Sequence, residues 1–317
     1  KANDTDNTVT PRLSINSYTI KFNANKPAKA TGNVTGTTAD QSIYYNRERK
    51  LNKNGYALNG WQFNGWNTQP DGTGVTYNDE QAVKNLSAKD GDIINLYAQW
   101  TPAGYSVTTI KTTGVSSTSG DGTYHDGDKV TINAVVQTGY NFDGWYLDNS
   151  KVSGDTSYSF TMTPGNKTFT AKATAKQFNI TLIARYEQPD GSFKGETVID
   201  NKVYDFGSTV SWSRAEDKEY SKASISWTVT GNATKYVDVK RRTYNQTITV
   251  QYENADGSFT NPEIVINAEP YRYGSTVSWS RAQDAVYQKA AKSWTLTGDA
   301  KENVKVYRNQ YTITVNG

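Results

Sequence analysis

Short stretches in which apolar and polar residues alternate recur along the whole chain, and each is typical of a β-strand with one buried face. In residues 208–215, STVSWSRA, Val210 and Trp212 fall on one face while serine and threonine occupy the other. Residues 224–231, SISWTVTG, repeat this pattern. Clusters of Gly and Asp between such stretches predict turns. The pattern therefore predicts a chain built mainly from short strands.

Two stretches depart from this alternation and predict short helices. Residues 79–91, DEQAVKNLSAKDG, have Asp79 in the position of an N-cap and Gly91 just past the end. Residues 281–292, RAQDAVYQKAAK, are the second candidate. The expected fold class is thus mainly β with short helices, an α+β arrangement of small modules.

Internal repeats divide the chain into modules. The sequence GSTVSWSRA at 207–215 recurs unchanged at 274–282, which gives two copies of one module in the second half. In the first half, GWQFNGW at 60–66 and GYNFDGW at 139–145 share the pattern Gly-aromatic-x-Phe-x-Gly-Trp. The expected domains are a polar tail, two related modules and two repeat copies: residues 1–17, 18–102, 103–176, 177–244 and 245–317.

Composition favours several small cores over one large core. With nine Phe and one Met among 317 residues, large apolar side chains are scarce, but eight Trp and 22 Tyr can fill thin cores. The chain has no cysteine, which excludes disulfides and points toward surface proteins of Gram-positive bacteria. A net charge of +3 without a basic face argues against nucleic acid as a partner. No stretch reaches the roughly 20 apolar residues of a membrane span.

The first half resembles a known repeat family. Residues 65–100, GWNTQPDGTGVTYNDEQAVKNLSAKDGDIINLYAQW, resemble the Listeria-Bacteroides repeat, or internalin B-repeat, in the GY-x-F-x-GW core, the DG-x-G-x-x-Y turn and the closing LYA-x-W. Residues 25–40 form a longer first loop than is usual in that family. Residues 122–173 resemble its divergent form, and the two copies after residue 177 look more loosely like mucin-binding-protein-type surface repeats.

The resemblance implies tandem β-grasp-like modules in extracellular bacterial proteins that are secreted or attached to the cell wall. It implies no active site and no cofactor. The function expected is a non-catalytic stalk or adhesin array, a monomeric rod that spaces or mediates binding to a protein or glycan of a host or partner surface. The alternative is a carbohydrate-binding region of a secreted glycan-active protein.

The aromatic residues of the repeated motif are the candidate ligand contacts, with Trp66 and Trp145 as the rings that could stack on a sugar. Packing in a core is the competing and favoured role, because aromatic residues in strands usually pack. In a regular strand Trp61 and Phe63 share one face and Trp66 lies on the other. Only one of the two tryptophans is therefore expected in the core.

Other candidate chemistry is sparse. His125 is the single histidine, and without cysteine it predicts neither a zinc site nor a catalytic triad. Asp121, Asp126 and Asp128 raise the question of calcium, but they do not follow the EF-hand spacing, so turn roles are predicted. We assign no catalytic, cofactor-binding or metal-binding residue, and an enzyme is the last of the three hypotheses.

Overall fold

The computed structural model describes residues 14–314, so most of the predicted tail at 1–17 lies outside the described residues. The chain divides into two compact units, one ending at Thr174 and the other beginning at Ala175. The first unit holds the two modules related by the repeated Trp motif. The second unit holds the two repeat copies.

The first module is built around a five-stranded sheet with the order β3-β1-β9-β6-β7. Its first and last strands, β1 and β9, lie side by side and parallel in the centre. Two further short pairs, β2-β5 and β4-β8, form separate two-stranded sheets. The strands are β1 (Ser17–Asn23), β2 (Thr35–Gly36), β3 (Gln41–Tyr44), β4 (Arg49–Lys50), β5 (Tyr56–Ala57), β6 (Trp61–Asn67), β7 (Thr76–Tyr77), β8 (Ala82–Val83) and β9 (Asp92–Pro102).

The second module repeats this plan and adds a second sheet. The first sheet has the order β12-β10-β17-β14-β15, again with parallel first and last strands, and β11-β13-β16 form the other. The strands are β10 (Gly104–Lys111), β11 (Val115–Ser119), β12 (Gly122–His125), β13 (Lys129–Val136), β14 (Tyr140–Leu147), β15 (Ser150–Ser153), β16 (Ser157–Thr161) and β17 (Lys167–Ala175).

Each repeat copy combines a three-stranded sheet with a separate hairpin. The sheets are β19-β18-β22 and β24-β23-β27, and the hairpins are β20-β21 and β25-β26. First and last strands are parallel here as well. The strands are β18 (Gln177–Glu187), β19 (Phe193–Asp205), β20 (Thr209–Arg214), β21 (Ala223–Thr228), β22 (Ala233–Val239), β23 (Thr243–Tyr252), β24 (Glu263–Arg272), β25 (Thr276–Arg281), β26 (Ala290–Thr295) and β27 (Ala300–Val306).

The hairpins carry the predicted alternation. Val210 is buried and Trp212 partly buried against the core, while Ser211 and Ser213 are exposed. Each copy has its own small core of strand residues from the sheet and the hairpin. The hairpin strands are therefore buried on one face only, as an alternation with a period of two predicts.

The predicted helices are wrong, and so is the α+β assignment, because residues 14–314 contain only strands and connecting segments. In residues 79–91, Glu80 and Asn85 have φ of 54° and 58°, which no α-helix contains. Ala82 and Val83 form β8 against β4, and Asp79 accepts the backbone N–H of Asn54. Long-range pairing therefore overrides local helix propensity. A β-grasp helix is accordingly missing from the described modules.

The second predicted helix, at 281–292, is instead the end of β25, an eight-residue connection at 282–289 and the start of β26. Asp284 accepts the backbone N–H groups of Val286 and Tyr287 at 2.8 and 2.7 Å. The Tyr287 ring then packs against Tyr252, with ring centroids 5.1 Å apart. From Ala290 the chain is already in β26. An aspartate that could cap a helix here closes a turn instead.

Candidate functional site

Trp66, the first candidate ligand contact, lies in the core of the first module and has no exposed area. Its ring packs edge-on against Phe22, Phe63 and Tyr56, with centroid distances of 4.7, 5.0 and 6.2 Å. A β-bulge between Phe63 and Trp66 places both rings on the same core. The expected separation of Phe63 from Trp66 is therefore wrong.

Trp145, the second candidate, is equally buried in the second module. Its indole N–H donates to the Thr156 carbonyl at 3.2 Å, and Phe142 packs edge-on at 6.1 Å. In this structure neither Trp66 nor Trp145 presents a face to which a sugar could stack. Both rings supply what these polar modules lack, a large apolar side chain.

Trp61, the other tryptophan of the opening motif, is partly exposed and reaches the next module. Its indole N–H donates to Asp126 Oδ2 at 2.9 Å. The Thr31 backbone N–H donates to the same oxygen at 2.9 Å, and the Thr31 hydroxyl donates to Oδ1 at 2.6 Å. We call this group of Thr31, Trp61 and Asp126 the first junction, because it joins the first module to the second.

The environment of Asp126 favours the ionised form of its carboxyl group. Its residue surface is fully buried, and burial by itself raises the pKa of a carboxyl group. The hydrogen bonds that Thr31 and Trp61 donate outweigh this effect and hold the pKa of Asp126 below its usual value. The junction thus buries a carboxylate with three donors aimed at it, which is how a buried charge is made tolerable.

The two modules approach closely around Asp126. A Cβ on Gly127, which has φ of +84°, would lie 2.0 Å from the Lys29 carbonyl oxygen. A Cβ on Gly60, with φ of +82°, would lie 2.6 Å from Pro164 Cγ. Any other residue at these two positions would force the modules apart. Gly60, the first residue of GWQFNGW, thus serves the junction rather than the core.

A second junction links the two repeat copies through Glu187, the last residue of β18. Glu187 Oε2 accepts the backbone N–H of Arg241 at 2.9 Å, and Oε1 accepts Arg272 Nε at 2.8 Å. The Glu187 side chain is 9% exposed. We call this group of Glu187, Arg241 and Arg272 the second junction, since Arg272 belongs to copy 2 and Glu187 to copy 1.

Arg241 completes the second junction from the segment between the copies. Its Nε donates to the Glu187 carbonyl at 2.8 Å, and Nη1 donates to the Tyr273 carbonyl of copy 2 at 3.1 Å. Nη1 also lies 2.7 Å from Glu219, and the guanidinium stacks over the Tyr220 ring at 5.1 Å. A planar group with five donors suits a position that must bind both copies at once.

The remaining candidates for chemistry also have partners, and Asp128 Oδ1 pairs with Lys29 Nζ of the first module at 3.4 Å. Asp121 Oδ1 accepts the backbone N–H and hydroxyl of Thr109, and Asp128 Oδ2 accepts the His125 backbone N–H. His125 Nδ1 lies 3.4 Å from the same Asp128 oxygen. Across residues 14–314 no group of three or more His, Cys, Asp or Glu side chains is placed to hold a metal ion.

The junction residues escaped prediction from the sequence. Asp126 lies in a turn-rich segment and Glu187 at a strand end, where acidic residues are ordinary. One signal did exist for the first junction, since the unusually long first loop at 25–40 is the segment that supplies Thr31 and Lys29. In the described part of the chain, no helix has the length and apolarity needed to cross a membrane.

Comparison with known proteins supports the resemblance of the first half. Residues 18–99 match the model of the Listeria-Bacteroides repeat domain, and residues 105–177 match that of the divergent InlB B-repeat domain. The resemblance predicted for these two modules is confirmed. The likeness of residues 177–317 to mucin-binding-protein-type repeats stays a prediction.

The chain matches no curated protein. A solved structure, the Bacillus anthracis TIE protein, aligns with a TM-score of 0.33 and 9% identity over 74% of this chain and 55% of that chain. A TM-score this low does not establish a shared fold. What the comparisons establish is that the first half of the chain carries two repeat domains of types that are typical of bacterial surface proteins.

Proposed function

We propose that this chain is a non-catalytic segment of a bacterial cell-surface or secreted protein, a stalk or adhesive repeat array that spaces or mediates binding to a host or partner surface. The two matched repeat families are generally non-catalytic and occur in extracellular or surface proteins. The extracellular location and the attachment to a cell wall are parts of this proposal.

The proposal rests on the positions of the two buried carboxylates. Asp126 and Glu187 are the two acidic residues that are buried within residues 14–314, and each binds donors from a neighbouring module. A catalytic or ligand-binding site would place such groups in a cleft. Here they hold successive modules in one register, which is what a spacer requires.

The connections between modules are short enough to serve a spacer. A single residue, Ala103, separates β9 from β10, and residues 240–242 separate β22 from β23. Ala103 itself donates its N–H to the Gly60 carbonyl at 2.9 Å. Short, hydrogen-bonded connections restrict hinge motion far more than flexible linkers do.

Small-angle scattering of the full chain tests the proposal. A compact globule of this length would have a radius of gyration of about 20 Å. Four modules end to end, each about as long as an 11-residue strand, would span roughly 140 Å and give about 40 Å, at ~3.3 Å per residue.

A six-residue Gly-Ser insertion after Ala103 is the control. Because it makes the connection between the first two modules flexible, it should broaden the distribution of interatomic distances obtained from the scattering. A radius of gyration near that of a compact globule for the unaltered chain would refute the stalk proposal.

A further inference from the structure

Copy 2 presents at its far end the same half-junction that copy 1 uses to hold copy 2. Glu253, Tyr287 and Arg308 occupy the positions that Glu187, Tyr220 and Arg241 occupy in copy 1. Glu253 Oε2 accepts the backbone N–H of Arg308 at 2.8 Å, against 2.9 Å for the first pair. The Arg308 guanidinium stacks over Tyr287 at 5.9 Å, against 5.1 Å.

The chain after Arg308 also follows the path of the connection between the copies. Asn309 donates its N–H to the Val286 carbonyl at 2.9 Å, as Arg242 does to Glu219. The Tyr311 hydroxyl donates to the Ala285 carbonyl at 2.8 Å, as the Tyr244 hydroxyl does to Lys218. We call the surface formed by Glu253, Tyr287 and Arg308 the acceptor face.

The acceptor face lacks the partners that complete the second junction. Among residues 14–314, no side chain forms an ion pair with Glu253 or Arg308, whereas Glu187 pairs with Arg272 and Arg241 with Glu219. Val286 replaces Glu219 and is 40% exposed. A carboxylate oxygen and a guanidinium are therefore held in place with part of their binding capacity unused.

We propose that the acceptor face binds a further repeat of the copy 2 type, one with arginine at the position of Arg272. The turn of that repeat would donate Arg Nε to Glu253 Oε1, as Arg272 donates to Glu187. Its next residue would offer a carbonyl to Arg308, as Tyr273 does to Arg241. The inference deepens the proposed array function and rests on it.

Charge selects which repeat type fits. Copy 2 carries Arg272-Tyr273-Gly274 at this turn, whereas copy 1 carries Asp205-Phe206-Gly207. An aspartate facing Glu253 would repel it, and a buried like-charge contact is strongly disfavoured. The acceptor face therefore accepts a repeat of the copy 2 type and rejects one of the copy 1 type. Position 272 and its equivalents act as the specificity determinant for the order of repeats.

The test extends the full chain by replacing residues 309–317 with a second copy of residues 242–317. Hydrogen exchange is measured at the side-chain Nε–H of the appended equivalent of Arg272, and Arg272 itself serves as the internal standard. The Arg272 Nε–H donates to Glu187 Oε1 across the second junction at 2.8 Å. We expect the two Nε protons to exchange within about tenfold of each other, since they would make equivalent hydrogen bonds.

Two substitutions in the extended chain separate the ion pair from general packing. Glu253→Gln should accelerate exchange at the appended arginine Nε–H by about tenfold, the usual effect of losing a charge-assisted hydrogen bond. Glu263→Gln, at an exposed glutamate of β24, is the matched control and should change exchange at neither arginine.

Protected strands in the appended repeat together with an unprotected arginine Nε–H would overturn the proposal. A second extension, built from residues 176–241 with Asp205→Arg and Phe206→Tyr, covers the case in which the first does not fold. An unprotected arginine Nε–H in both extensions also counts against the acceptor face. Small-angle scattering of the unextended chain does not depend on the result with either extension. A failure of the stalk proposal can therefore be distinguished from a failure of the acceptor-face proposal.

Discussion

Replacing Asp126 with alanine should uncouple the first module from the second. The carboxylate accepts three hydrogen bonds from the first module, two from Thr31 and one from the Trp61 indole. Alanine removes all three acceptor positions and leaves these donors facing a cavity. Asparagine is the milder change, because its amide can still accept from the two N–H groups while the Thr31 hydroxyl rotates to accept.

The expected loss follows from the charge on the acceptor. A hydrogen bond to a charged group contributes roughly 1.5–3 kcal/mol, and water that enters the cavity recovers part of it, so Asp126→Ala should cost about 3–4 kcal/mol. At about 1.4 kcal/mol per factor of ten, the junction should open roughly 100- to 1,000-fold more often. Asp126→Asn keeps the contacts without the charge and should increase opening by about tenfold.

Hydrogen exchange at the Trp61 indole N–H reports on this contact, because the proton is held by Asp126. Exchange should accelerate in the order wild type, Asn variant, Ala variant. Asp121→Ala is the matched control, since that carboxylate binds Thr109 within the second module. If Asp126→Ala changes Trp61 exchange by less than about threefold, the junction is not held by this carboxylate.

Three further predictions follow from the two junctions and the cores. The pKa of Asp126 is lowered in the folded chain. The contribution of its carboxylate to the free energy of unfolding is therefore complete above the usual aspartate pKa and is lost as pH falls through the lowered value. The difference in unfolding free energy between wild type and Asp126→Asn should accordingly vanish in acid. Arg272→Ala leaves the Glu187 carboxylate buried without its arginine, and exchange at the Tyr273 amide should accelerate by tenfold or more, while Lys at position 272 should rescue part of the loss. Trp145→Ala should cost the second module about 3–5 kcal/mol in a urea titration, and a loss of less than about 1 kcal/mol would show that the ring is not a core residue.

The last prediction bears on the carbohydrate-binding alternative. Removing Trp66 or Trp145 would destabilise the module, so any loss of glycan binding could not be attributed to a lost platform. A glycan array on the unaltered chain is the clean measurement, because both rings lie in cores. Binding there would have to come from other, exposed residues.

The local pattern of apolar and polar residues predicted the strands, but it was misleading where long-range contacts determine the structure. Alternation placed Val210 inward and Ser211 outward correctly, because a half-buried sheet enforces a period of two. Parity also separated Trp61 from Trp66, but the bulge after Phe63 shifted the register and returned Phe63 to the Trp66 core. A bulge depends on the partner strand, which a local pattern does not contain.

The junctions show a second limit of sequence reasoning. Asp126 and Thr31 are 95 positions apart, and Glu187 and Arg272 are 85 apart. Nothing in the residues near either acid distinguishes it from an aspartate in a turn or a glutamate at a strand end. The repeat period did contain a clue, since Arg272 replaces the Asp205 of copy 1 within otherwise similar turns.

The parallel pairing of the first and last strands in each module has a mechanical consequence. In the first module β1 and β9 pair in parallel from Tyr18 with Asp92 to Asn23 with Tyr97, and the other three modules have equivalent pairs. A chain that enters on one parallel strand and leaves on the other does so at opposite ends of the sheet. Tension along the chain therefore shears all bonds of the pair together instead of unzipping them singly, so each module should resist force until the whole ladder ruptures.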